Sequence, residues 1–191
     1  MHCSAKIAHI AYLPLLPALL QQDILTSALH RLKESGFSIS IDLVSVQDSA
    51  IFQEQIRPIL PYIDFVIIND VEACILANKN TRNLTDLAKI IYQLGVKNTV
   101  IIHSPQQAVA YNAQEIVVVP SYWVDKRNIL STLGAGDAFC AGVLYGLHNN
   151  MPLEETLKLG HGLAYFNLFS LSATDGAVSY SELQHFIQSQ V

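Results

Sequence analysis

The alternation of short apolar runs with helix-patterned segments in the first half of the chain limits the fold more than any single motif does. Ile7 to Tyr12, Phe37 to Val44, Ile63 to Ile68 and Thr99 to Ile102 are β-type runs of largely continuous apolar character, the second broken by Asp42. Between them, Leu20, Ile24, Leu25, Leu29 and Leu32 recur at helical spacing within Pro17 to Ser35. Ala50 to Leu60, closed by Pro61, reads as a second helix, and Asp70 to Ala77 and Leu84 to Leu94 as two more. A strand that is apolar on both faces must be covered on both faces. The order strand, helix, strand, helix, strand therefore predicts a parallel sheet with crossover helices on either side, an α/β arrangement.

The second half has a different character. Val109 to Tyr111 and Glu115 to Val119 are short β-type runs separated around Asn112 and Ala113, which predicts a hairpin or antiparallel edge. Ala135 to Leu147 and Leu153 to Leu171 are helical in pattern. Ser179 followed three residues later by Glu182 is a capping-box signature for a last helix. There is no internal repeat, low-complexity tract or linker, and 191 residues suit a single domain.

Charge narrows the functional classes. Charged residues make up 14% of the chain and apolar ones 51%, against a usual charged share of about 25%, so part of the surface is expected to be covered, by a second copy or by further chain. A net charge of −5 without a Lys/Arg cluster argues against nucleic-acid and anionic-membrane partners, which would need a basic footprint. Any bound phosphate must be held locally. Cys3, Cys74 and Cys140 are widely spaced, which fits reduced thiols in the cytoplasm, and the seven histidines have no metal-ligand spacing. The apolar stretch Ile7 to Leu20 contains Pro14, Pro17 and His9 and lacks a small-residue cleavage pattern, so it reads as a buried strand leading into a helix and not as a signal peptide.

Gly134-Ala135-Gly136-Asp137 opens a helix rich in small residues. Glycines let the backbone turn tightly and bring its N–H groups close to a ligand, and the helix start adds about half a positive charge directed at an anion. Asp137 falls in the first turn, where it could receive a proton from a positioned hydroxyl. Phosphoryl transfer requires little more, since its loose transition state needs a positioned nucleophile and donors for the transferred group. The plainer reading is a tight turn with a capping carboxylate. A dinucleotide fingerprint would want Gly or Ala where Phe139 stands, and no Walker A lysine follows these glycines.

The run from Gly134 to Gly142 resembles the signature G-A-G-D-x-F-x-x-G of the PfkB/ribokinase family of carbohydrate kinases. The resemblance implies a three-layer αβα fold, with Asp137 as the base that deprotonates a substrate hydroxyl and Gly134, Ala135 and Gly136 as the anion hole. It also implies ATP and Mg2+ as cofactors and a sugar or nucleoside as acceptor. Asn69 and Glu72, three residues apart on one face of a helix start, resemble the family's N-x-x-E motif beside the nucleotide and its Mg2+. A polar side chain with a carboxylate suits a water-bridged Mg2+, and Glu72 is the residue that would hold it. Without the resemblance the pair reads as a helix cap. Ser172 to Ala177, with Ala173 and Gly176, resembles the loop that lies against adenine in such kinases; Asn167 before it either faces the nucleotide or serves packing, with packing the favoured reading.

Two departures from the family pattern are expected to matter. The stretch Ile102 to Ala108 has no glycine where such kinases carry a T-x-G-x-x-G turn; His103 there could stand in as a phosphate donor, but a lone histidine at a strand end is more often structural. The chain also begins at what resembles the family's middle, so the N-terminal strands, sugar site and lid are expected to be absent from it. A decayed or non-catalytic nucleotide-binding module that keeps the kinase fold is the alternative.

Overall fold

The computed structural model describes residues 5–44 and 50–190. Six strands form one sheet in sequential order: β1 (Ile7–Ile10), β2 (Ser38–Asp42), β3 (Phe65–Asn69), β4 (Thr99–His103), β5 (Gln107–Tyr111) and β6 (Ile116–Pro120). The first four are parallel, with His9 opposite Ser40, Ile41 opposite Val66, and Asn69 opposite His103. β5 runs antiparallel to β4, as the short second-half runs predict. The helices are α1 (Gln22–Glu34), α2 (Asp70–Ala77), α3 (Leu84–Gln93), α4 (Ala135–His148), α5 (Leu153–Asn167) and α6 (Tyr180–Ser189). The result is an α/β fold with a mostly parallel sheet flanked by helices. None of the helices is long and apolar enough among the described residues to cross a membrane.

Residue contacts divide the chain into two compact units, Met1–Ser104 with Ala108–Val117, and Pro105–Gln107 with Val118–Val191. In the first, Ile39, Ile41, Val66, Ile68, Val100 and Ile102 of the sheet share a core with Leu25 and Leu29 of α1 and Leu87 and Ile91 of α3. Burial of strand residues in succession, as in Phe65 to Ile68, accounts for their unbroken apolar runs. Asp64, just before β3, ties the layers together: it accepts from the Ile39 N–H at 2.6 Å and pairs with Lys33 near the end of α1.

The expected helix over Ala50 to Leu60 takes another form. Phe52–Ile56 is a π-type turn that passes into a 3-10 stretch at Arg57–Tyr62. Pro58 and Pro61 lack the N–H groups an α-helix would use there, so the chain tightens instead of continuing. The first helix starts at Gln22, after the prolines, and α5 stops at Asn167, four residues short of Leu171.

In the second unit α4 and α5 come close where Gly142 meets Leu159 and Gly146 meets Thr156. Around α6 an aromatic cluster forms, with Tyr165 stacked on Phe186 at 4.5 Å and Tyr122 edge-on to the same ring at 4.9 Å. Ser179 and Glu182 make the reciprocal capping box that their spacing predicts. Cys74 and Cys140 form no disulfide; Cys3 lies outside the described residues.

Candidate active site

Open α/β sheets bind ligands at the carboxyl ends of their parallel strands. In the first unit those ends carry polar residues: Asp42 on β2, Asn69 on β3 and His103 on β4, the last two in register. Asn69 caps α2. Its Oδ1 accepts from the Glu72 N–H at 2.8 Å, while a Glu72 carboxylate oxygen accepts from the Asn69 N–H at 3.0 Å. The N-x-x-E spacing is thus a closed capping box, the plain reading of the pair.

Capping does not account for all of Glu72. The side chain is only 4% exposed, and burial pushes its carboxyl up from 4.5 to about 7, against the lowering effect of the Asn69 N–H, with the Asp42 charge raising it further. Among the described residues no Lys or Arg ion pair reaches it. A buried carboxyl that no Lys or Arg pairs with among the described residues is an oxygen donor of the kind that suits a hard divalent cation such as Mg2+.

Asp42, Ser40 and His9 were not singled out from the sequence as site residues. Asp42 Oδ1 accepts from the Tyr12 N–H at 2.5 Å and its Oδ2 lies 3.3 Å from His9 Nε2; His9 Nδ1 lies 3.1 Å from Ser40 Oγ. The available signal was a carboxylate interrupting an apolar strand at its carboxyl end. It needed the pairing of β1 with β2 to become a constellation.

In the second unit the glycine run is a helix start of the opposite kind. Gly134 stands at the N-cap of α4 with φ 77°, and no side chain caps the helix. A Cβ at Gly134 would lie 2.7 Å from backbone atoms of Ala173, so both its conformation and its space demand glycine. The loop from Ser172 to Ala177 therefore rests directly on the glycine turn. Asn167, 2% exposed, donates from Nδ2 to the Leu133 carbonyl at 2.7 Å, and a Cβ at Gly176 would lie 2.6 Å from its Cα. Asn167 is thus a structural clamp, as its position before the loop suggests.

Asp137 is exposed in the first turn of α4, two residues before the buried Phe139. Phe139 lies edge-on to the His161 ring at 5.2 Å. His161 is held by the Val119 carbonyl at 3.2 Å and Ser121 Oγ at 3.3 Å, and burial lowers its pKa to about 4. The neutral ring donates from Nε2 and accepts at Nδ1, so a rigid aromatic contact anchors the helix while its first turn faces solvent. Such a start can receive an anion on its backbone and a proton on the Asp137 carboxylate.

Residues 3–179 match the family model of the pfkB carbohydrate kinases. The chain belongs to that family. It is 32% identical over 130 residues to an adenosine kinase of Schizophyllum commune, a match covering 61% of this chain and 38% of that protein. A cytidine kinase of Thermococcus kodakarensis is 26% identical over 161 residues, covering 83% of this chain and 54% of the relative. The chain thus spans about half or less of the length of these relatives. Among solved structures, a fructokinase of Vibrio cholerae bound to fructose, ADP and calcium superposes with a TM-score of 0.78 at 19% identity, over 98% of this chain and 62% of that one. An E. coli structure described as ribokinase II in complex with ATP and Mg2+ gives 0.78 at 21% identity, over 96% and 59%. These likenesses establish the ribokinase fold.

Proposed function

We propose that this chain carries the nucleotide-side and catalytic machinery of an ATP-dependent phosphotransferase acting on a hydroxyl of a sugar or nucleoside. One observation carries the reading: a family glycine turn whose helix start is left without a side-chain cap, seated on the Ala173 loop, with the Asp137 carboxylate exposed in its first turn. Asp137 accepts the acceptor hydroxyl proton, the hydroxyl oxygen bonds to the γ-phosphorus, and the bond from that phosphorus to the β–γ bridging oxygen breaks to leave ADP. The backbone at Gly134, Ala135 and Gly136 stabilises charge on the transferred group. Ala173 and Gly176 border the nucleotide. Asn69 and Glu72, with Asp42, serve the phosphate and cation side, where Mg2+ when bound would offset phosphate charge.

The test is acceptor-dependent ADP release across a sugar and nucleoside panel, comparing the wild-type chain with Asp137→Ala. A fall in turnover of about 10²-fold or more, with nucleotide binding retained, is the expected result. Equal turnover in the variant would remove Asp137 from the role of base.

A second reading has its own support: the chain spans about half of its relatives, and the stretch from Ile102 to Ala108 has no glycine. A non-catalytic nucleotide-binding module would bind ATP and release no ADP with any acceptor. The low charge content favours a covered surface in either case, by a second copy or a partner chain.

A further inference from the structure

We propose that the cleft between the start of α1 and the π-type turn at Phe52–Ile56 is a binding site for a small organic cation, a primary ammonium carried on an apolar body. The site lies wholly in the first unit, shares no residue with the phosphate and cation side, and holds or fails independently of the kinase reading.

The cleft follows from the way the chain departs from its helix pattern. Pro58 and Pro61 deny an α-helix its donors, and the chain opens into a π-type turn before tightening into a 3-10 stretch. A wide turn followed by a narrow one does not lay the even surface of an α-helix against α1. Between the two elements is a cavity of about 530 Å3, within the range of about 300 to 1,000 Å3 usual for small-molecule sites. Single π-type turns in helical segments are also frequent at functional sites.

The lining of the cavity changes with depth. Leu20, Leu25 and Ile59 are buried and form an apolar floor. Thr26 and Tyr62 are half-buried walls, and the Tyr62 ring packs edge-to-face with His30 at 5.0 Å. Asp23 of α1 and Glu54 of the π-type turn are exposed at the rim. Neither carboxylate has an ion-pair partner among the described residues. Arg57, three residues beyond Glu54, is engaged elsewhere: its Nη1 donates to Gln53 Oε1 at 2.5 Å, and Gln53 Nε2 donates to the Ile75 carbonyl of α2 at 2.5 Å.

Two carboxylates above an apolar floor repel an anion and suit an ammonium group whose hydrocarbon part can leave water. The net charge of −5 adds attraction for a cation at longer range. An aromatic ring in the wall gives the same cation a further favourable surface. A neutral ligand would use the floor alone, so the rim sets the charge of the ligand and the floor its apolar part.

Titration of the full chain with phenethylammonium, followed by amide proton–nitrogen correlation spectra, tests this. A dissociation constant of about 1 mM or tighter is expected, with amide shifts over residues 20–26 and 54–62 and none over residues 134–137. Phenethyl alcohol, the same shape without the charge, should bind about 5-fold more weakly, and hydrocinnamate more weakly still. Asp23→Asn combined with Glu54→Gln should weaken the ammonium about 10-fold and leave the alcohol unchanged. Thr26→Phe, which fills the cavity, should weaken both; the charge variant alters exposed side chains only and serves if Thr26→Phe does not fold. Absence of these shifts in wild type overturns the proposal. Equal affinity for the ammonium and the alcohol does so too, as does binding of the ammonium that the charge variant leaves unchanged, since the rim would then recognise nothing. Undiminished binding to a folded Thr26→Phe would place the ligand outside the cavity and overturn it as well. Acceptor-dependent ADP release is measured separately and judges the kinase reading alone.

Discussion

The starts of α2 and α4 carry the two motifs that most resemble kinase machinery, and they are built in opposite ways. At α2 the side chains of Asn69 and Glu72 close on each other's backbone N–H groups, so the helix start satisfies itself. At α4 the N-cap is Gly134, no side chain caps it, and Asp137 is exposed in the first turn. A closed start fixes its side chains in place. A start without a side-chain cap keeps its dipole directed outward, although the Ala135 N–H donates to the Thr132 carbonyl at 3.2 Å. The difference teaches that N-x-x-E here holds a buried carboxyl in place, whereas the glycine run is left without a side-chain cap, as the proposed anion-receiving role requires.

Substitutions at the two starts should therefore fail differently. The largest stability effect is expected for Gly134→Ala, which forces a Cβ into the left-handed region and within 2.7 Å of the Ala173 backbone. A loss of about 3 kcal/mol follows from strain and overpacking together, measurable by urea unfolding, with nucleotide affinity falling as well. A variant as stable as wild type would mean that the Ala173 loop does not press on the turn.

Glu72→Gln should give a pH-dependent effect of nearly that size. The wild-type carboxyl is raised to about 7 from 4.5, so the folded state holds a proton that the unfolded state releases as pH rises between those values. Its contribution to stability is complete below pH 4.5 and lost as pH climbs through about 7. The glutamine has no proton to lose and can still accept from the Asn69 N–H. The stability of Glu72→Gln relative to wild type should then rise across that window by up to roughly 3 kcal/mol, followed by thermal unfolding at several pH values. A flat difference would show that Glu72 is not desolvated.

The smallest effect is that of Asn69→Ala, which opens one half of the box. A loss of about 1 kcal/mol is expected from the missing cap, with a lower unfolding midpoint and a fall in turnover well short of that of Asp137→Ala. A loss of turnover as large as that of Asp137→Ala would break the contrast, because Asn69 would then be acting on the reaction and not on the helix.

Much of both starts was legible in the chain because caps are local. Asn69 with Glu72 and Ser179 with Glu182 are three residues apart, and both pairs form the boxes that this spacing predicts. The bounds of α2 agree with the sequence reading for the same reason. Less was legible where a distant neighbour decides: Asn167 reaches Leu133 across the fold, and the Ala173 loop lies on Gly134. The helix expected over Ala50 to Leu60 failed by a local rule given too little weight, since two prolines remove donors that an α-helix needs.

The sequence by itself determined the alternation of strands and helices that implies a parallel sheet, the helix caps at Asn69 and Ser179, and the glycine run with Asp137 at its end. Each depends on residues within a few positions of one another, where backbone geometry and hydrogen-bonding chemistry act directly. Only the tertiary structure decided that Glu72 is buried, and that His9 on β1 and Tyr12 in the turn after it both bond to Asp42. Burial and charge coupling depend on what the fold brings near, and residues some thirty positions apart meet only when β1 pairs with β2.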